Sequence, residues 1–349
     1  MAEQIQQPLG APMGERRVGE EAWVRVLRFG SRHARILAPF TTLICMFIFF
    51  SFATDVFLTT RNLQNVVTQV GAVAVAAAGI TFVLLCAEID LSIASVATFA
   101  GMLAAYFWIG ESLDLGSWGI LVGLVVAAFL GLINGILIAY VGIPSFMMTL
   151  AMLTIAQGLS IFVYEGKPIY EVPGILRDLG GSANRILGIP VIGLVALGIL
   201  LVGEFILSYT KFGRYVYMTG GNREAAEMSG VNTRLVIMLT MMISGLTAGM
   251  AGMLFAGRLS SANPGAGEDL LINAIAAVVL GGTSLFGSEG GIKNTILGLL
   301  IFGILSNGLN LLPDISIYFK QALQGIILVG ALLLNVLALR LERVQVRAE

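Results

Sequence analysis

Hydrogen-bonding side chains are scarce in this chain, and one concentrated set is Glu88-Ile89-Asp90-Leu91-Ser92. Two carboxylates and a hydroxyl at this spacing could hold an unwound turn or bind a polar solute. Asp90 is expected to accept backbone N–H groups, with Ser92 capping the next helix, or to contact the solute. Glu88 either tunes the choice of solute or faces the cytoplasm. A glycine-rich stretch, Gly281–Gly291, interrupts the apolar sequence in a similar way. The pair suggests an internal repeat around a central pathway, or two tight turns at the cytoplasmic surface.

Residue types needed for catalysis are nearly absent. The chain has one histidine, His33, and two cysteines, Cys45 and Cys86, which lie inside apolar runs. A zinc site, a disulfide framework or a histidine-based dyad needs more of these residues close together. The pair Gly166-Lys167 is followed by proline, so it is not a phosphate-binding loop. The sequence therefore predicts no catalytic residue, no metal and no cofactor in this chain, and any ATP and Mg²⁺ would bind to another subunit.

The elements that position these side chains are membrane helices. Of 349 residues, 57% are apolar and 12% are charged, about half the charged share of soluble domains. The uncharged runs are Ile36–Thr54, Asn62–Ala87, Leu91–Gly110, Leu115–Tyr164, Ile186–Gly203, Leu235–Gly257, Leu270–Ser288, Asn294–Pro313 and Gln321–Leu339. About 20 apolar residues cross a bilayer, so Leu115–Tyr164 holds two spans, broken at Gly142-Ile143-Pro144. The sequence predicts an all-α polytopic membrane protein with about ten transmembrane helices.

The charges predict an orientation. With residues 1–35 as a cytoplasmic arm, 36–340 as the transmembrane domain and 341–349 as a cytoplasmic tail, most of the 20 lysines and arginines fall inside. The loops 165–189 and 258–269 then face outwards, and a segment at 209–234 faces the cytoplasm. No basic patch is interleaved with aromatic residues, so nucleic acid is not expected as a partner.

The cytoplasmic segment contains a predicted two-turn helix. Asn222 is a good N-cap, Glu224 falls in the first turn, and Gly230 supplies a left-handed residue at the end. The predicted helix, Arg223–Ser229, would be about 10 Å long and only marginally stable alone. It must therefore be held by its flanks, as an ordinary loop helix would be, or by a partner into which it docks.

Polar amides inside the spans either join helices or line a pathway. The candidates are Gln69, Asn134, Gln157, Asn273, Asn307 and Asn310, together with Asp90 and Ser92. Asn307 and Asn310 share a helix face because they are three residues apart, which favours them as pathway residues. Glu204 is expected to reach the membrane interface and pair with a basic neighbour.

Several short motifs occur in a specific order, although each is weak alone. They are Glu88–Ser92 with Ser95, Gly213-Arg214-Tyr215, Gly220-Gly221-Asn222 with Glu224-Ala225-Ala226, Ser229-Gly230, Arg258–Ala262 with Pro264, Ala274–Ser284 and Asn307–Leu312. From about Asn62 to the last span, the chain resembles inner-membrane permeases of ABC importers for monosaccharides, the ribose, xylose, arabinose and galactose group. Glu88 and Ala94 depart from the usual Gly-Ile-Asp-Leu-Ser-x-Gly-Ser of that family.

The resemblance implies a type II ABC importer-like permease fold of ten spans in the inner membrane. It also implies partners: two nucleotide-binding domains on one or more ATP-binding subunits, an extracytoplasmic sugar-binding protein, a second permease and the surrounding membrane lipid. The residues implied to contact the ATPase as a coupling helix are Gly221, Asn222, Arg223, Glu224, Ala225, Ala226, Glu227, Ser229 and Gly230. Two alternatives stay open: an ion-coupled secondary transporter using Glu88, Asp90 or Glu204, and an intramembrane hydrolase.

Overall fold

The computed structural model describes residues 34–333, except 111–112, 314–315, 317, 321, 328 and 331–332. These residues form a helical bundle with one small hairpin. The elements are α1 (Ala34–Ala53), α2 (Thr60–Leu85), α3 (Ile93–Ile109), α4 (Trp118–Ile136, continued by a π-helical turn Leu137–Val141), α5 (Ser145–Val163), α6 (Gly174–Gly180), β1 (Arg185–Ile186), β2 (Ile189–Pro190), α7 (Val191–Tyr209), α8 (Lys211–Gly221), α9 (Arg223–Met228), α10 (Thr233–Leu259), α11 (Glu268–Leu280) and α12 (Ile292–Leu311).

Among the described residues, six helices are long and apolar enough to cross a membrane: α2, α4 with its π-helical turn, α5, α7, α10 and α12. Three shorter apolar helices lie at Pro39–Ala53, Ile93–Ile109 and Asp269–Leu280. The predicted break between two spans in Leu115–Tyr164 is confirmed, because α4 ends before Gly142, whose φ is 86°, and α5 begins at Ser145. About half of the last predicted run, Gln321–Leu339, lies outside the described residues, so the number ten stays a prediction.

Small residues let α10 run through the centre of the bundle. A Cβ on Gly131 of α4 would lie 2.4 Å from the carbonyl oxygen of Met241. A Cβ on Gly245 of α10 would lie 2.4 Å from the carbonyl oxygen of Ala127. The two helix backbones therefore touch, which is the close packing that small residues permit between membrane helices.

The loop 165–189, for which the sequence predicted no regular structure, is partly ordered. It contains α6 and the hairpin β1–β2, in which Arg185 pairs with Pro190. A Cβ on Gly257 would lie 1.9 Å from the carbonyl oxygen of Leu176, so α6 packs directly on the end of α10. The backbone of Ile169 also pairs with that of Ala262, which joins the two loops predicted to face outwards.

Two helices begin inside the bundle and not at its ends. A Cβ on Gly252 would lie 1.8 Å from the carbonyl oxygen of Ala97 in the second turn of α3. Gly252 is about 29 Å along α10 from its first residue, at 1.5 Å per residue. A Cβ on Gly267, just before α11, would lie 2.6 Å from the carbonyl oxygen of Ala94. The first turns of α3 and α11 therefore meet deep within the bundle.

Candidate functional site: an exposed helix, a buried polar network and a cavity

The predicted cytoplasmic helix forms as α9, one residue shorter than expected. The Asn222 side chain caps it by accepting from the N–H of Ala225 at 3.0 Å, Glu224 lies in the first turn, and Gly230 has a φ of 83°. Ala226 is buried, whereas the residues around it are exposed: Gly221, Asn222, Arg223, Glu224, Ala225, Glu227, Met228, Ser229 and Gly230. Thr233 at the start of α10 donates to Glu227, which fixes the far end of α9. α9 is thus a short, exposed helix that its cap, the buried Ala226 and the bond from Thr233 hold in place.

Two glycines place α9 against the end of the bundle. A Cβ on Gly220 would lie 1.8 Å from the carbonyl oxygen of Leu85, the last residue of α2. The same carbonyl accepts from the N–H of Ser288 at 3.0 Å, and a Cβ on Gly221 would lie 3.1 Å from the Ser288 hydroxyl. The segment Gly281–Gly291 therefore lies beside α9, with Phe286 89% exposed. The exposed tip of this segment favours a turn at the end of the bundle over a segment that lines a pathway.

Tyr217 of α8 adds a further contact between these parts. Its hydroxyl donates to the carbonyl oxygen of Gly290 at 2.8 Å. Burial, and then the carboxylate of Glu204, raises the pKa of Tyr217. The hydroxyl therefore stays protonated near neutral pH and keeps this hydrogen bond.

Glu88 does not face open solvent. Its side chain is 8% exposed and forms an ion pair with Arg223, the first residue of α9, which is 48% exposed. Glu88 therefore points towards α9 instead of open solvent, and its influence on the choice of solute stays a prediction. A carboxylate this buried needs such a partner, because an unpaired buried charge is strongly destabilising.

Asp90 lies deeper, in a buried polar network. Its Oδ1 accepts from the N–H of Ser92 at 2.9 Å and from the Ser92 hydroxyl at 2.6 Å, and its Oδ2 accepts from Ser244 Oγ at 2.6 Å. Asn134 Nδ2 donates to Ser92 Oγ at 3.1 Å, while its buried Oδ1 has no hydrogen-bond partner. Ser244 is about 17 Å along α10, so Asp90 is not in a turn at the bundle surface.

The prediction for the Asp90 turn is partly confirmed. Asp90 accepts a backbone N–H, as expected, but Ser92 makes no capping bond to α3 and donates to Asp90 instead. Ser244 could not be predicted as a partner of Asp90, because a serine within an apolar helix has many uses.

Beyond this network, a cavity of about 280 Å³ lies between α3, α5 and α11. Its lining residues are Ala94, Ser95, Thr98, Leu153, Gln157, Pro264 and Leu271. Ser95 and Thr98 are three residues apart and so share one face of α3. The first turns of α3 and α11 lie beside the cavity, and the first turn of a helix has N–H groups without intrahelical partners. A mostly apolar wall with a few polar groups suits a small polar solute.

The other predicted pathway amides lie elsewhere. Asn307 and Asn62 exchange two hydrogen bonds, at 2.9 and 3.1 Å, which joins α12 to α2 and favours the helix-joining alternative. Asn310 is exposed near the end of α12. Asn273 is half-buried on α11 and Gln69 is half-buried on α2, and neither lines the 280 Å³ cavity. A pathway role for Asp90, Ser92, Asn134, Asn273, Asn307 and Asn310 stays a prediction, and Gln157 is the candidate that borders the cavity.

A bundle of membrane-length helices, with an exposed helix at one end and a cavity between helices that begin inside it, is typical of a permease. Comparison with known proteins agrees. A family model described as the permease component of branched-chain amino acid transport systems matches residues 62–332. The chain belongs to this family of permease components. It is therefore a multi-pass inner-membrane transport subunit, not an enzyme, and works with ATP-binding and substrate-binding partners.

Individual relatives cover most of the chain. It is 36% identical over 297 residues to the ribose import permease protein RbsC of Haemophilus influenzae, covering 84% of this chain and 91% of the relative. It is 37% identical over 302 residues to RbsC of Bacillus subtilis, covering 86% and 92%. It is 32% identical over 297 residues to the D-allose transport system permease protein AlsC of Escherichia coli, covering 85% and 90%. No solved structure matches the chain.

Proposed function

We propose that this permease subunit moves a monosaccharide or a related polyol into the cell, driven by ATP hydrolysis on partner subunits. Three relatives are named for ribose or allose transport, which favours a sugar over the amino acids in the description of the family. The cavity beside Ser95, Thr98 and Gln157 supports this choice, because it offers neutral hydrogen-bonding groups and few charges. The substrate is not altered chemically. Transport is a conformational change of the bundle, after which the cavity opens to the other side of the membrane.

The exposed helix α9 is the proposed contact with the ATPase. The observation that carries this proposal is how α9 is attached to the bundle. It is capped at both ends and packs against the bundle through Ala226, whereas the rest of its surface is exposed. A helix of this length has little stability of its own. Because it is attached to the bundle in this way, it can move with the bundle as one rigid part. Binding of ATP can shift the bundle only if α9 makes different contacts with the ATPase in the two states.

A charge reversal on α9 tests this contact. Glu224→Arg places a positive charge on the exposed first turn, where the helix dipole also disfavours it. Membranes that contain the variant and the partner ATPase should show ATP-dependent sugar uptake at least about tenfold below wild type, since a lost interface contact of about 1.4 kcal/mol has that effect. Glu171→Arg, an equally large change at an exposed glutamate in the loop 165–189, should transport normally. Normal uptake by Glu224→Arg would refute the assignment of α9.

We also propose ten spans, with both termini in the cytoplasm, and a second permease that completes the transporter in the lipid bilayer. The orientation follows from the bias of lysine and arginine towards the side that carries α9. The tenth span is the uncharged run Gln321–Leu339. A reporter enzyme that is active only in the cytoplasm should work when fused after Glu349 and fail when inserted after Gly181. Activity at both positions would refute this topology.

A further inference from the structure

We infer that Glu88 transmits movement of α9 to the helices that line the cavity. The segment Cys86–Ser92, here called the connecting segment, joins α2 to α3 and is held to α9 by the Glu88–Arg223 ion pair. This inference rests on the proposed function, because it supposes that a partner ATPase moves α9. It assigns to Glu88 a positioning role and no contact with the transported solute.

The first step of the transmission is the ion pair itself. Glu88 is buried beside α9, and Arg223 is the first residue of that helix. When α9 shifts, either the ion pair breaks and leaves a buried carboxylate unpaired, or Glu88 moves with α9. Separation of a buried pair is strongly unfavourable, so the connecting segment moves with α9.

The second step runs into α5 through the residue next to Glu88. The N–H of Ile89 donates to Ser145 Oγ at 3.2 Å. Thr149 Oγ1, which donates to the carbonyl oxygen of Ser145 at 2.8 Å, also lies 3.3 Å from the carbonyl oxygen of Ile89 and can share its hydrogen with it. Thr149 is followed at intervals of four residues by Leu153 and Gln157, which therefore lie on the same face of α5. Both of these residues line the cavity. One face of α5 thus contacts the connecting segment at Thr149 and lines the cavity at Leu153 and Gln157.

The third step runs into α3. Asp90 is tied to α10 through Ser244 and to the start of α3 through Ser92. Since α3 follows directly, a displacement of the connecting segment changes the position of its first turns. Those turns carry Ala94 and Ser95 at the cavity wall. Movement at Glu88 therefore reaches two of the three helices around the cavity.

A contact that transmits movement can be distinguished from one that only stabilises the fold by the effect of its removal on transport and on ATP hydrolysis. If the ion pair only stabilised the fold, its removal would lower uptake and ATP hydrolysis together. If it transmits movement, the ATPase continues to hydrolyse ATP while fewer solute molecules cross. The quantity to measure is therefore the ratio of solute transported to ATP hydrolysed.

The experiment uses the complete transporter, with its partner ATPase and binding protein, reconstituted in liposomes and supplied with ribose. Glu88→Gln and Arg223→Gln remove one charge each, and Glu171→Gln is the matched control in an outer loop. Coupling between sites is commonly worth a factor of at least about five, so each single variant should lower the ratio by about fivefold or more. The exchange Glu88→Arg with Arg223→Glu should recover a large part of the ratio.

Thr149→Val supplies an independent test, because it removes one of the two hydroxyls that contact the Ile89 backbone and leaves the ion pair and the surface of α9 unchanged. It should also lower the ratio. The inference is overturned if the assembled Glu88 and Thr149 variants keep the wild-type ratio, or if uptake and hydrolysis fall equally. A wild-type complex that shows no ATP-dependent uptake of any sugar would instead count against the proposed function.

Discussion

Replacement of Gly220 by alanine should disrupt the junction between α8 and the end of α2. A Cβ at this position would lie 1.8 Å from the carbonyl oxygen of Leu85 and 2.8 Å from its carbonyl carbon. Because both groups are backbone, no side chain can turn away, and α8 and α2 must separate by about 1 Å. Overpacking of this kind costs about 1–3 kcal/mol. The separation also strains the hydrogen bond from the Ser288 N–H to the Leu85 carbonyl, which is 3.0 Å long.

The matched control is Gly198→Ala in α7, where a Cβ would meet no atom within 4 Å. Alanine is favoured over glycine inside a helix by about 1 kcal/mol, so this change should leave stability equal or slightly higher. The assay is the midpoint of thermal unfolding of the purified protein in one detergent, together with ATP-dependent uptake. Gly220→Ala should lower both. A Gly220→Ala protein that melts and transports like wild type would show that the junction is not tightly packed.

Two further substitutions distinguish amides that join helices from amides that line the cavity. Asn307→Ala leaves the buried Asn62 Oδ1 without its donor, while Asn62 Nδ2 keeps its bond to the Phe57 carbonyl oxygen. It should lower the unfolding midpoint, at a cost of about 1–3 kcal/mol, whereas replacement of both asparagines by leucine should cost less than the sum of the single changes. Gln157→Leu keeps a similar volume but removes a polar group from the cavity wall, so it should reduce uptake without a change in thermal stability or in co-purification of the ATPase. Equal stability of Asn307→Ala and wild type, or full uptake by Gln157→Leu, would contradict the roles given to these amides.

The partners of the acidic side chains bear on how transport is driven. Glu88 pairs with Arg223, and Glu204 pairs with Lys293 at 3.1 Å, which confirms the expected basic partner. Asp90 has both oxygens engaged in hydrogen bonds. A carboxylate that carries protons or sodium ions has to release its partner in each cycle, at a considerable cost when it is buried. These contacts therefore favour an ATP-driven mechanism over an ion-coupled one.

Patterns among neighbouring residues were sufficient to predict much of the secondary structure of this protein. Long uncharged runs predict membrane helices because the bilayer leaves no other way to satisfy backbone hydrogen bonds. The capping of α9 by Asn222 and the left-handed Gly230 were also predictable, since each depends on a few neighbouring residues. The assignment of a two-turn helix between two spans needed no tertiary information.

Contacts between distant residues were decided only by the tertiary structure. Glu88 and Arg223 are 135 positions apart, and Asp90 and Ser244 are 154 apart. Neither pair leaves a periodic pattern, because each depends on which helices pack together and at what depth. The same packing starts α3 and α11 inside the bundle, where an uncharged run alone predicts full spans. The sequence thus determined the long apolar helices and the short helix α9, whereas the tertiary structure added α6 and α8, and close packing at glycines set the depth of the helices and so placed the cavity.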